Sequence, residues 1–313
     1  MTTSRVLILL VALLGIGVNA CSEKAADHYA EGVGKAKKGD YGGALAEFDK
    51  FIKWDPSRPQ AYLARGLARQ NTNDAAGAIA DFSKAIELKP DYSAAYDSRG
   101  NSRAARGDLE GAIADFDKTL ELDPTNVRAF NNRGLAKANK GDRDGALTDY
   151  NRAIQLSPTS VPPYINRGML KRKLGDAKGA MVDFSKAIEL SPGYAYAYDQ
   201  LGITEWSQGD LDAAIGDYGR AIALDSKDAL AYTDRGAAKL SKGDLGGALA
   251  DEDRAIQLSP GAVLAYMNRS AVRRKLGDAS GSSRDFEKAL KLNPQAEKLA
   301  QESSKPLAES GKP

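Results

Sequence analysis

A Gly-Asp dipeptide returns every 34 residues, at Gly39-Asp40, Gly107-Asp108, Gly141-Asp142, Gly175-Asp176, Gly209-Asp210, Gly243-Asp244 and Gly277-Asp278, with Asn73-Asp74 on the same beat. Prolines keep the interval at Pro56, Pro90, Pro124, Pro158, Pro192, Pro260 and Pro294. Self-similarity at this period means one small helical unit written about eight times, since such a unit cannot bury its apolar face alone and must stack on its neighbours. The 313 residues therefore read as one elongated domain rather than two globular ones.

Residues 124–158 show how one unit is built. After Pro124, Thr125 or Asn126 can cap a first helix running through Ala129 to Ala136. Gly141 stands where a left-handed residue stops a helix, and Asp142 can accept amide hydrogen bonds as the next N-cap. In the second helix Ala146, Leu147, Tyr150, Ala153 and Ile154 form the i, i+3, i+4, i+7, i+8 stripe of a core-facing helix. The unit is an antiparallel helical hairpin.

The recurring residues resemble the tetratricopeptide repeat family over residues 25–296. The family's small residue of helix one stands at Gly32, Gly66, Gly100, Gly134, Gly168, Gly202 and Gly236, with an aromatic a few residues earlier from Tyr62 to Tyr266. Its helix-two alanine stands at Ala44, Ala78, Ala112, Ala146, Ala180, Ala214 and Ala248, followed by an aromatic such as Phe48, Phe82, Phe116 or Tyr150. The resemblance implies an all-α fold, a right-handed α-solenoid of about eight helix-turn-helix repeats. Their expected bounds are 25–58, 59–92, 93–126, 127–160, 161–194, 195–228, 229–262 and 263–296. A further glycine recurs in the first turn of helix two (Gly43, Gly77, Gly111, Gly145, Gly179), where glycine costs up to ~1 kcal/mol relative to alanine; the sequence supplies no packing reason for it.

Charges keep the beat as well. Arginine precedes the helix-one small residue at Arg65, Arg99, Arg133, Arg167, Arg235 and Arg269, and an acid recurs in helix two at Glu47, Asp81, Asp115, Asp149, Asp183, Asp217, Asp251 and Asp285. Pairing within a unit would set Glu31 against Glu47 and Leu201 against Asp217. Pairing each acid with the next unit's arginine leaves only Asp183 opposite Leu201, so a structural ladder between repeats is expected, running through Asp81, Arg99, Asp115, Arg133, Asp149 and Arg167. Repeat six departs from the others with Leu201, Glu205 and Ser226; in repeat seven Glu252 replaces a buried aromatic, which predicts local solvent access or a loosened seam before repeat eight.

The family resemblance implies that helix one lines a concave groove. Asn101, Asn131, Asn132 and Asn166, with Asn139, Arg128 and Asp97, offer amides able to grip a peptide backbone without reading its sequence. Farther along, Ile165, Met169, Tyr196, Ile203, Trp206 and Leu240, flanked by Arg172 and Lys173, offer the anchor types common at interfaces. Trp206 is equally compatible with packing inside the array, as is expected of Trp54 at a site where other copies have leucine. The lysine that chaperone-binding relatives place in mid-helix one is absent, so that function is not carried over.

The N-terminus differs in kind. Met1 to Arg5 is a short basic segment, and residues 6–18 form an apolar run too short to span a bilayer, which needs ~20 residues, but suited to a secretory signal. Residues 1–20 read as a signal peptide. Cys21, the only cysteine, follows Val18-Asn19-Ala20 and resembles the acylated residue of bacterial lipoproteins, although Asn19 departs from the usual alanine or serine. Ordinary cleavage after Ala20 is the alternative. Ser22 resembles lipoproteins sorted to an outer membrane, and 21–24 would be a short tether. Residues 297–313 read as a short capping helix and a disordered tail.

With 44 basic and 42 acidic side chains there is no electrostatic footprint for nucleic acid. One histidine, His28, no phosphate-cradling glycine loop and no nucleophile-base pair argue against catalysis, cofactor and metal alike. The expected function is a non-catalytic, membrane-tethered or soluble periplasmic adaptor of the bacterial envelope that binds protein or peptide in its groove. The alternative is a self-assembling homodimer without a dedicated peptide ligand.

Overall fold

The computed structural model describes residues 20–296 and 298, with side chains from Asp27 onward. Among these residues there are sixteen α-helices and no strand, in the all-α class expected. The chain separates between Leu156 and Ser157 into two compact units. The first holds α1 (Ala20–Lys37), α2 (Tyr41–Trp54), α3 (Pro59–Asn71), α4 (Ala75–Leu88), α5 (Ser93–Ala105), α6 (Leu109–Leu122), α7 (Val127–Lys140) and α8 (Arg143–Leu156). The second holds α9 (Val161–Lys173), α10 (Ala177–Leu190), α11 (Ala195–Ser207), α12 (Leu211–Leu224), α13 (Ala229–Lys242), α14 (Leu245–Leu258), α15 (Val263–Lys275) and α16 (Ala279–Leu292). No described helix is long and apolar enough to cross a membrane. The expected signal peptide and polar tail lie outside the described residues, as does the Cys21 side chain.

Each unit is four hairpins stacked in sequence. Within each, the first helices of successive hairpins touch, whereas the second helices do not. The first helices therefore lie on the closely spaced, concave side of each unit, and that placement decides which residues a partner could reach.

The turn inside a hairpin needs a left-handed residue, and Gly141 at φ 97° supplies it; Asn73, the one non-glycine at this position, adopts φ 60°. The following aspartate caps the second helix in all eight repeats, for example Asp108, whose Oδ1 accepts from the Gly111 amide at 2.9 Å. This contact accounts for the glycine unexplained by sequence. A Cβ on Gly111 would lie 2.3 Å from Asp108 Oδ2, so a side chain there would displace the cap. In repeat six the position is Ala213, and its cap bond to Asp210 is longer, at 3.1 Å.

The helix-one glycine permits close approach. A Cβ on Gly100 would lie 2.8 Å from the ring of Phe116, which is fully buried beneath it. Repeat eight carries Ser270 instead; its hydroxyl donates to the Ser282 carbonyl at 2.8 Å, and Phe286 is only half-buried. Trp54 is corrected by the structure: it is 48% exposed at the end of α2, touching Phe51 at its edge. Its position faces outward in other copies too, as Leu224 and Leu292 show.

Candidate partner-binding faces

The charge ladder forms, but with other partners than expected. Arg99 donates to Asp115 at 2.7–3.2 Å, Arg133 to Asp149 at 2.5–2.9 Å and Arg65 to Asp81 at 2.6–3.0 Å, all within one hairpin. Asp81 thus meets Arg65, not Arg99; Asp115 meets Arg99, not Arg133; Asp149 meets Arg133; and Arg167 donates to Asp183 at 2.6 Å. The reason is geometric: residues 16 apart face each other across the antiparallel pair. A second cation four residues later completes each site, as Arg103 does on Asp115 and Lys137 on Asp149.

The guanidinium also sits over the aromatic three residues before it, Arg133 over Phe130 at 5.5 Å from the ring centre. Contacts between repeats exist as a secondary set, Arg65 with Asp49 and Arg133 with Asp117. The two exceptions that favoured the other register have local solutions. Glu47 takes Lys35, Lys50 and His28 and is held down to about pKa 2, chiefly by its bond from Lys35. Asp217 takes Arg220 from its own helix at 2.6 Å. His28, Glu31 and Glu47 bring ligand-type atoms within 4.8 Å of one another, but Lys35 already bridges both carboxylates at 2.9 Å.

Glu252 is fully buried, which corrects the expected solvent access. Its Oε1 accepts from Asn268 Nδ2 at 3.0 Å, its Oε2 has no partner among the described residues, and burial pushes its carboxyl up to about 9. At neutral pH it is a neutral acid filling an aromatic's place.

On the concave side of the first unit the amides join one another. Asn131 donates to Asn132 at 3.1 Å, and Asn132 to Asn101 at 2.8 Å. Asp97, almost wholly buried, receives the Arg128 guanidinium at 2.5 Å and Asn101 at 3.4 Å. Asn131 is itself buried, so within this bonded set Asn101 and Asn132 present the more accessible amides, and Asn139 is exposed.

In the second unit the expected residues divide. Tyr196 is 41% exposed, its hydroxyl 3.5 Å from Met169 sulfur. Asn166, Met169, Ile203, Trp206 and Leu240 are half-buried, and Lys173 is exposed. Ile165 is buried and offers no surface. Arg172 is not a free flank: it donates to the Gln200 carbonyl at 3.0 Å and side chain at 2.7 Å, and burial lowers its pKa. Trp206 and Leu240 open instead onto a cleft of about 100 Å³ shared with Thr233, Asp234, Leu264 and Asn268. Asp234 does not stand out in the sequence, where it is one acid among many; its place on the 34-residue beat of Asn132 and Asn166 is the signal that marks it.

Tandem helical hairpins with an accessible first-helix face define a helical-repeat scaffold. The particular family follows from its sequence matches: residues 29–93 and residues 127–160 and 161–194 match tetratricopeptide repeat families, and residues 100–141 and 204–243 match a TPR repeat family. The chain belongs to the tetratricopeptide repeat family, whose members are generally non-catalytic protein-interaction scaffolds.

Among solved structures, Cut9 in the APC/C hetero-tetramer Cut9-Hcn1 is 16% identical with a TM-score of 0.62, covering 91% of this chain and 57% of that one. Yeast Tom70 is 20% identical with a TM-score of 0.62, covering 93% of this chain and 66% of that one. A tetratricopeptide repeat protein from Parabacteroides merdae is 20% identical with a TM-score of 0.60, covering 78% and 97%. This chain thus spans less than two thirds of the length of Cut9 and Tom70, and the likeness is one of fold. No curated protein matches the sequence.

Proposed function

We propose that the protein is a non-catalytic adaptor that captures a protein or peptide segment on the concave faces of its helical repeats. The observation carrying this reading is the second unit's cleft, where Trp206, Leu240 and Leu264 stand beside the polar Asp234 and Asn268. An aromatic anchor with polar neighbours in a preformed depression is the arrangement that concentrates binding energy at interfaces. The linked amides Asn101 and Asn132 of the first unit suit backbone contacts.

The basic start, the apolar run of residues 6–18 and Cys21 after it in the sequence support a location at the bacterial envelope, facing the periplasm, with the array held by an acyl anchor. Labelling cells with palmitate tests the anchor: label on the wild type and none on Cys21→Ala supports it, and equal labelling of both refutes it. For the groove, Asn132→Ala and Trp206→Ala are expected to weaken partner capture while leaving the circular dichroism spectrum unchanged; capture undiminished in both variants refutes the reading.

A further inference from the structure

Asp199 occupies in repeat six the place that Asp97 occupies in repeat three, and both are buried carboxylates on first helices. Oδ1 of each has no hydrogen-bond partner among the described residues. What differs is the cation. Asp97 Oδ2 is met at 2.5 Å by Arg128 from the next hairpin. The residue equivalent to Arg128 beside Asp199 is Leu230, which is 55% exposed. Asp199 Oδ2 accepts only from the Gln200 amide at 3.1 Å, and that amide's oxygen takes Arg172, whose guanidinium goes to Gln200 and Thr204 rather than to the carboxylate.

The surroundings make the deficit larger. Asp228, the N-cap of α13, raises Asp199 by its charge, and Asp234 is raised by both. Burial is the main cause in each case, bringing Asp199 to about 6 and Asp234 to about 7. By the same equivalence Asp234 stands where Asn132 stands, which donates to Asn101 one turn beyond Asp97, and Asp234 opens directly onto the cleft walled by Trp206.

We propose that this corner receives an arginine side chain from the peptide partner, its guanidinium taking against Asp199 and Asp234 the part that Arg128 plays against Asp97, with Trp206 alongside. The inference rests on the peptide-binding reading above and narrows the partner to a segment carrying arginine. A guanidinium suits the site because it is planar, can donate to two carboxylates at once and stacks on an aromatic face.

The test is calorimetric titration of the full-length protein at pH 8 with capped decapeptides of leucine and serine that differ only at one central residue: arginine, citrulline or glutamate. The arginine peptide is expected to bind about ten-fold more tightly than the citrulline peptide, the equivalent of one charge-assisted hydrogen bond. Asp199→Asn with Asp234→Asn should erase that preference. Leu230→Arg should erase it too, by supplying the guanidinium from within the chain, and this variant keeps the fold because Arg128 already stands at the equivalent place. Asp97→Asn should leave the preference intact. Equal binding of all three peptides, lost in Trp206→Ala, would overturn the arginine assignment and leave the peptide-binding reading standing. No binding of any of the three would overturn both.

Discussion

Glu205 faces Asp217 across the sixth hairpin at the position where all seven other repeats place a lysine or arginine against the corresponding acid: Lys35, Arg69, Arg103, Lys137, Lys171, Lys239 and Arg273. With Leu201 replacing the other cation, two buried acids share a site whose only basic partner among the described residues is Arg220. Burial and the Asp217 charge raise Glu205 from 4.5 to about 7. Two nearby carboxylates resist ionising together.

The consequence is a pH dependence of defined sign. A raised carboxyl binds a proton more tightly folded than unfolded, so its contribution is intact below about pH 4.5 and is lost as pH rises toward 7. Stability should fall across that window with a slope of up to about 1.4 kcal/mol per pH unit from this group. Glu205→Gln should flatten the slope, and Glu205→Lys should raise stability at pH 7 by about 1–3 kcal/mol through a charged bond to Asp217. Urea denaturation at several pH values measures all three.

Glu252 extends the same trend to higher pH. Its carboxyl, raised from 4.5 to about 9, should continue to cost stability until the folded protein ionises. Glu252→Phe restores the aromatic found in the other repeats above the helix-one small residue, and should stabilise the protein by roughly 2 kcal/mol at pH 8 while removing the slope above pH 7. Thermal unfolding at pH 5 and pH 8 gives the comparison.

Arg133 lies between Asp149 at 2.5 Å in its own hairpin and Asp117 at 2.7 Å in the preceding one. Asp149 is almost wholly buried, whereas Asp117 is exposed. A double-mutant cycle of Arg133→Leu with Asp149→Leu should give a coupling of about 1–3 kcal/mol, against under about 1 kcal/mol for Asp117 and none for Asp115. A larger coupling with Asp115 would restore the pairing expected from the sequence.

Glycine-to-alanine changes in helices usually stabilise; here the contacts reverse the sign. Gly111→Ala should cost about 1 kcal/mol by disturbing the Asp108 cap, and Gly100→Ala about 1–3 kcal/mol by pressing on Phe116. Gly42→Ala, where a Cβ meets nothing, should be neutral or stabilising. Chemical denaturation of the three variants separates them.

The hairpins were legible in the sequence because period, capping aspartates and left-handed glycines all act locally. The arginine register was not. Its signal lay in exceptions, and Glu47 and Asp217 each found substitutes from nearby Lys35, Lys50 and Arg220. Candidate groove residues on helix one were identifiable from their beat, but burial sorted them: Ile165 and Arg172 turn inward, and Asp199 gains meaning only when Leu230 is seen where Arg128 would be. Such relations depend on which side chain of the next hairpin comes near, and spacing within one repeat does not specify that.

The most direct test of the binding account is site-specific photocrosslinking in cells, with a photoreactive residue at Tyr196 on the concave side or at Val182, 68% exposed on α10. The account predicts that a discrete segment is captured from position 196 and not from 182, and that the same segment made as a synthetic peptide binds the purified protein and loses affinity in Trp206→Ala. The same capture from both positions, or peptide binding indifferent to Trp206, would contradict it.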